Sequence, residues 1–350
     1  MAVRLVDVQV YRRRVDETSW TDVDGDAVSV STDTTFDAGS SLSVTVANVR
    51  DRADHTWYAG DEVKVELGYG GPDLVKWGVV PNTGLALGDT ITIDAVGPLG
   101  DADMKQVYIE EGEYEGEDRV VAAGRVLTDA VGADRSGFVA AVRRSGTLQP
   151  WTGHPTGWQN ALSAVTAALA DAYDDTTDPV TPAHAWDMDG ASPAVRVATV
   201  PDPDDAEPVA IDGNDALSSD DVVLRSDVRT VKQATACAVT GSSVSYVDAD
   251  YSGRCGSLWD QVAGTGNDGN DWLAAKRRVD RYRAPVRAFS IQVEGAHVVP
   301  VGSVIELADD RLGLTAGKHL VAQRTVTVDA SGISTVLALG VRRPVATDYL

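Results

Sequence analysis

The chain has 350 residues, 43% of them hydrophobic, with 53 acidic against 30 basic side chains and a formal net charge of -23. This length buries a sizeable core and fits two or three domains of globular rather than disordered composition. The charge argues against sequence-specific nucleic-acid binding, which draws its affinity from Lys and Arg displacing counterions; the absence of an apolar span of about 20 residues or a signal-peptide core argues against membrane insertion and export.

In chain order, residues 2–15 alternate as a first strand, Asp24-Gly25 marks a turn, and Ala27 to Ser31 and Leu42 to Val46 alternate as further strands. Val44, Val46 and Val49 face one way. Arg12-Arg13-Arg14 runs on into VDETSW, which is not a twin-arginine export signal. The stretch from Trp57 to Val80 reads as a hairpin: Gly60-Asp61 turns the chain, Val63, Val65 and Leu67 alternate with Glu62, Lys64 and Glu66, Gly68 to Pro72 turn it again, and Leu74 to Val80 returns. Leu85 to Asp89 is a turn and residues 91–99 a further strand, making about six strands in the first hundred residues, as in a small barrel or sandwich.

After Gly100 the pattern changes. Glu110 to Glu117 is an acidic loop; Val120, Ala123, Leu127 and Val131 then share one helical face over 118–132. Trp158, Leu162, Val165, Leu169 and Tyr173 predict a second helix over 158–173, and Asp227 to Val239 a third, at 227–239. Between them, Thr176 to Asp221 reads as a Pro/Asp-rich surface excursion with some irregular strand. Gly241 to Val247 and Arg254 to Leu258 read as short strands, Asn267 to Asn270 as a loop, and Asp271 to Tyr282 as a short basic helix, with Lys276-Arg277-Arg278 solvated or salt-bridged. From Pro285 the β-pattern resumes with residues 289–295, a strand at Ile305 and Leu307, 320–329, and 333–341 beyond a Ser331-Gly332 turn. Gly302 precedes Ile305 and Leu307 at the offsets by which Gly60 precedes Val63 and Val65, which predicts two modules of similar topology.

The expected fold class is β-rich α+β: two small β-barrel-like modules, 1–100 and 286–350, bracketing a mixed α/β insertion, 101–285. No catalytic, cofactor-binding or metal-ligating residues are assigned. The five histidines are scattered, no phosphate loop or nucleophile elbow occurs, and Asp202 to Asp205 and Asp212 to Asp215 do not match a twelve-residue calcium loop. Cys237 and Cys255 could pair, but two cysteines define neither a disulfide framework nor a zinc site, and the default reading is reduced and structural. Trp57, Tyr58, Tyr69 and Trp77 cluster in the hairpin; barrel core and subunit interface both suit these residue types, and they are the candidate interface.

The stretches SSLSVTVAN (40–48), WYAGDEVKVELGYGG (57–71), VKWGVV (75–80), VGSVIEL (301–307) and GKHLVAQRTVTVDASGISTVLALG (317–340) resemble the central hub proteins of phage tail tips and baseplates, and the spike-base proteins of contractile injection machines. The excess of Asp over Glu (42 against 11) and of Arg over Lys (24 against 6) resembles proteins of extreme halophiles, which points to a tailed virus of salt-loving archaea. The resemblance implies a virion protein of the tail tip, made in the host cytoplasm, with no enzymatic activity and no cofactor. It implies a homotrimer whose two barrels per chain match a hexameric tail tube or distal tail ring on one side and a threefold spike or fibre on the other, with DNA or a tape-measure protein passing through. The alternative is a distal tail ring subunit or a receptor- or glycan-binding tail protein. A carboxylate- or metal-dependent hydrolase is the third class, and it lacks a constellation.

Overall fold

The computed structural model describes residues 6–23, 27–47, 57–82, 90–132, 156–170, 183–199, 203–213, 216–218, 221–225, 229–250, 256–263, 268–282, 286–307 and 317–340. Seven strands come first: β1 (Asp7–Arg13), β2 (Thr21–Asp22), β3 (Ala27–Thr35), β4 (Ser41–Ala47), β5 (Glu62–Gly68), β6 (Leu74–Val79) and β7 (Thr90–Val96). Next come α1 (Pro98–Asp103), β8 (Gln106–Ile109), α2 (Arg119–Val131), β9 (Gly157–Asn160), α3 (Ala161–Ala170), and a hairpin of β10 (Ala183–Asp187) and β11 (Val195–Thr199). The remainder is β12 (Val222–Arg225), β13 (Arg229–Lys232), β14 (Ala236–Thr240), β15 (Ser245–Val247), β16 (Trp259–Ala263), α4 (Asp268–Tyr282), β17 (Val286–Val293), β18 (Val304–Leu307), β19 (Gly317–Asp329) and β20 (Gly332–Gly340). None of the described helices is long and apolar enough to cross a membrane.

Thirteen of these strands form one antiparallel sheet rather than two separate barrels. Its order contains two runs, β5–β6–β7–β4–β3 and β18–β19–β20–β17–β12, with β13 also on β17. Taken in chain order, β3 to β7 of the first run correspond one to one with β12/β13, β17, β18, β19 and β20 of the second. The hydrogen bonds repeat as well. Gly60 N–H donates to Val80 O (2.8 Å) and Val80 N–H to Asp61 O (2.8 Å); Gly302 N–H donates to Val321 O (2.9 Å) and Val321 N–H to Ser303 O (2.9 Å). The Gly-to-apolar offsets therefore mark the same turn in a duplicated unit. The runs are joined where β3 pairs with β19, from Thr35↔Gln323 to Val30↔Val328.

The sheet path is open at both ends among the described residues, so neither run is the closed barrel expected from sequence. The first run, extended by β1 beside β5, nevertheless folds back on itself: Val10 of β1 and Val30 of β3 share one core with Val44, Val63, Val65 and Ile93. A second core holds Ile291, Ile305, Val321, Leu337 and Leu339. Strand β19 serves both, with Val321 in one and Val326 and Val328 in the other. Residues 222–225 and 229–232, read from sequence as insertion, supply the outer strands of the second run.

The insertion has its own core, in which Val120, Ala123, Leu127 and Val131 of α2 pack against Val165 and Leu169 of α3. Asp118 caps α2 by accepting Val120 and Val121 N–H. Three expectations are corrected. The helix predicted over 158–173 begins only at Ala161, because Asn160 caps it (Ser163 N–H to Oδ1, 2.9 Å) and Trp158 lies on β9, opposite Tyr108; Tyr173 is outside the described residues. The helix predicted over 227–239 is two strands. Arg229, Thr230 and Lys232 pair with β17, and β14 is the middle of a β15–β14–β16 sheet, suiting a Val- and Thr-rich segment. The excursion at 176–221 contains the regular β10–β11 hairpin, whose Ala185, Val195 and Val197 are buried in the insertion core. Residues 91–99 also differ, since the strand stops at Val96 and Pro98 opens α1. Val49 and the turn at 85–89 lie outside the described residues.

The duplicated glycines give a direct test. Gly60 and Gly302 have φ of +91° and +83°, and an added Cβ would meet Val15 Cγ2 at 2.9 Å and the Trp186 ring at 2.8 Å respectively. Gly60→Ala and Gly302→Ala are each expected to cost at least about 1–2 kcal/mol, the strain of the left-handed region, in urea unfolding. Equal stability of either variant and the parent would mean that the turn does not need glycine.

Candidate functional site

The hairpin β5–β6 divides the four aromatic candidates into two pairs. Trp57 is 7% exposed, inside the first core beneath the Arg12 guanidinium (5.6 Å to the ring). Trp77 is 3% exposed, and its Nε1–H donates to Glu62 Oε2 at 3.2 Å, a carboxylate that also binds Arg13. Their own chain covers both tryptophans, so neither offers a ring face to a sugar. Tyr58 is 52% exposed, carried on a turn closed by Asp61, whose Oδ2 accepts Tyr58 N–H (2.9 Å), with Arg14 lying over its ring. Tyr69 is half-buried. Its hydroxyl accepts Ile333 N–H (3.3 Å) and its ring meets His297 edge-on, so it ties the first run to the second.

Behind the hairpin lies a polar junction that sequence reasoning missed. The tip of β10–β11 is wedged between the two runs: Gly190 N–H donates to Val75 O (2.9 Å), and Asp37 N–H to Ala185 O (2.7 Å). Asp187 accepts three hydrogen bonds, from Ser40 N–H (2.8 Å), Ser40 Oγ–H (2.7 Å) and Leu99 N–H (2.9 Å). Asp189 takes both Nη2 contacts of Arg324 (2.7 and 2.8 Å) and Lys76 Nζ (3.2 Å). Lys76 also reaches Thr34 Oγ1 (2.7 Å), and Arg324 Nη1 reaches Val299 O (2.7 Å). His184 Nδ1 lies 2.6 Å from Asp37 Oδ2, with its ring stacked on Phe36.

Burial pushes the Asp187 carboxyl above its ordinary range, although the Lys76 charge and the three hydrogen bonds pull the other way. Burial also pushes Asp189 up, but there the adjacent Lys76 and Arg324 charges and their hydrogen bonds outweigh it and hold the carboxyl below its usual value. The arrangement is a clamp. One hairpin tip binds Ser40 just ahead of β4, Leu99 of α1, Lys76 of β6 and Arg324 of β19 through charge-assisted bonds. A sequence signal existed: Lys76 follows Leu74 and Arg324 precedes Val326 and Val328 in the inward phase of their strands, and a charge in that phase needs a partner.

A cavity of about 630 Å³ opens between the Tyr69–Asp73 turn of the first run and the Glu294–Val298 turn of the second, with Asp212 at its side. Among the described residues no group of three His, Cys, Asp or Glu side chains is placed to hold a metal ion. His55, His154, Cys255 and Asn214-Asp215 lie outside the described residues, and Cys237 is buried against α4.

The fold has known counterparts. It matches a tail protein from Neisseria meningitidis MC58 with a TM-score of 0.62 and 14% identity, over 95% of this chain and 96% of that one. It matches the 43 kDa tail protein of prophage MuSo2 from Shewanella oneidensis with a TM-score of 0.60 and 10% identity, over 97% and 99%. The chain shares the fold of these two tail proteins. The Escherichia coli c3393 protein also shares it (TM-score 0.50, 8% identity, 94% of this chain and 76% of that one); that protein is a component of the type VI secretion system with structural similarity to the T4 tail proteins gp27 and gp5. No family model and no curated protein sequence matches the chain.

Proposed function

We propose that this chain is a structural protein of a viral tail, the hub at its tip or baseplate, forming a homotrimeric ring. The observation that carries the reading is the whole-length likeness to two tail proteins, which leaves almost nothing of either partner uncovered. The likeness to c3393, itself similar to the T4 tail proteins gp27 and gp5, supports a tail component, and the placement at the tip rests on the resemblance of the quoted stretches to hub proteins. The internal duplication fits a ring of three, because three chains with two equivalent runs each offer six related surfaces to a hexameric tube and three to a spike or fibre. Distal ring, tape-measure and spike proteins are the partners of this reading, and its site residues are contacts rather than catalysts. The division at residues 100 and 286 belongs to the same proposal, with β12 and β13 joining the second module from before residue 286.

Three copies carry 3 × (-23), or -69 formal charges, around the axis. DNA bears one negative charge per roughly 1.7 Å of duplex, so an acidic lumen lets it slide where basic residues would hold it. Tyr58 and Tyr69, with Trp57 and Trp77 beneath, are the subunit contact of this reading, and each interface should bury more than about 1,000 Å². Sedimentation of the purified 36.9 kDa chain in molar salt is expected to give a mass of three chains. A monomer at every concentration tested would remove the ring.

A further inference from the structure

The cavity between the Tyr69–Asp73 turn and the Glu294–Val298 turn is chemically one-sided. Its volume of about 630 Å³ lies within the range of about 300–1,000 Å³ usual for small-ligand sites. Asp73, Asp212 and Glu294 line it, and among the described residues no Lys or Arg does. Nor does any of these three carboxylates make a salt bridge with a Lys or Arg among the described residues, whereas Asp189 in the clamp makes two. The acid of this wall has no counter-charge of its own.

The same wall holds a histidine that the fold buries without satisfying. His297, carried by the short turn Ala296–Val298, is 4% exposed, and neither of its ring nitrogens has a hydrogen-bond partner among the described residues. Asp73 Oδ2 stands 3.6 Å from Nε2, beyond hydrogen-bond distance, and already accepts Tyr69 N–H at 3.1 Å. A buried polar group without a partner is destabilising, so a site that leaves one in its wall is a site that a ligand completes. Asp212 is built in closely. Its own φ is +50°, and its carboxylate lies so near Gly295 (φ +77°) that a Cβ there would come within 2.6 Å of it. Glycine at 295 gives that carboxylate its place.

We infer that the cavity binds a guanidinium group. Three carboxylates disfavour an anion. A single metal ion suits the wall poorly, because among the described residues no three His, Cys, Asp or Glu side chains are placed to share one. A guanidinium spreads five N–H donors over a rigid plane and reaches acceptors too far apart to share one ion, and an imidazole in its neutral form adds an acceptor nitrogen to the carboxylates. A guanidinium is also more weakly hydrated than an ammonium and stacks on aromatic rings, of which Tyr69 supplies one here. Bound between the two turns, it ties Asp73 of the first run to Glu294 of the second. The inference does not depend on the ring reading.

Titration of the full chain with N-acetyl-arginine amide in molar salt, followed by NMR of the histidine ring protons, tests it. The His297 signal is assigned by its loss in His297→Gln, or by its through-space contact with Tyr69 should that variant fail to fold. A saturable shift of this signal is expected, with a dissociation constant at least about tenfold lower than that of N-acetyl-lysine amide. Asp212→Asn with Glu294→Gln changes two exposed side chains, the first to a residue type that tolerates positive φ, and is expected to weaken binding about tenfold or more, with melting curves to check folding. No saturable shift, equal binding of the lysine probe, unchanged affinity in the double variant, or the same shift from calcium or magnesium chloride would each overturn the inference. Sedimentation at saturating probe identifies the source. A fall in the assembled mass assigns the group to an arginine of a neighbouring copy, and an unchanged mass to a free guanidino compound.

Discussion

Asp189→Ala is expected to destabilise the chain by about 3–5 kcal/mol, the usual consequence of removing one partner from a buried ion cluster. The Lys76 and Arg324 side chains are each 1% exposed, and Asp189 is the carboxylate that both contact. Its loss strands two positive charges between the runs, where burial penalises the charged form. The opposite substitution separates charge from packing. Lys76→Met with Arg324→Met leaves Asp189, whose side chain is 25% exposed, facing solvent, and should cost much less than Asp189→Ala. Chemical unfolding of the three proteins measures both. A loss below about 1 kcal/mol for Asp189→Ala would mean that the clamp is not holding the runs together.

Salt is expected to act as strongly, and on the whole surface. At an ionic strength of about 0.1 M the Debye length is about 10 Å, so neighbouring carboxylates of a chain carrying -23 repel; at about 1 M it falls to about 3 Å and the repulsion is screened. The melting temperature should therefore rise continuously between those conditions. The clamp should contribute little to that rise, because buried pairs are screened far less than exposed charges. A melting temperature that stays flat or falls would end the halophilic reading of the Asp and Arg excess.

Much of the sheet was legible because its strands alternate cleanly. Val63, Val65 and Leu67 are all fully buried, and β17 to β20 fall where the pattern puts them. Helix α2 was legible from its apolar stripe. The failures came where local pattern is overruled by distant partners. Trp158 sits at helical spacing from Leu162 and Val165 but is held in β9 by its ladder with Tyr108. Residues 229–232 become a strand because β17 is there to pair with them. The interface candidates were half legible: aromatic content marked the hairpin, but only the folded chain distinguishes the covered Trp57 and Trp77 from the exposed Tyr58. Asp187 and Asp189 were hidden among 42 aspartates, and nothing in the local sequence marks them out.

The seam between β3 and β19 has a consequence for how the protein is made. Gln323 Nε2–H and Thr325 Oγ1–H both donate to Asp33 Oδ2 across the seam, from partners 290 and 292 residues along the chain. At about 5–20 residues per second, a ribosome needs roughly fifteen seconds to a minute to supply them. Through that interval the edge of β3 waits unpaired, a template for pairing with any other nascent strand. Its sequence, AVSVSTDTT, suits the wait: hydroxyls and one carboxylate line an edge that a run of valines and isoleucines would have made adhesive. Completion of the sheet is thus a late event, reserved for the finished chain, and a polypeptide cut short before Gly317 keeps an open seam.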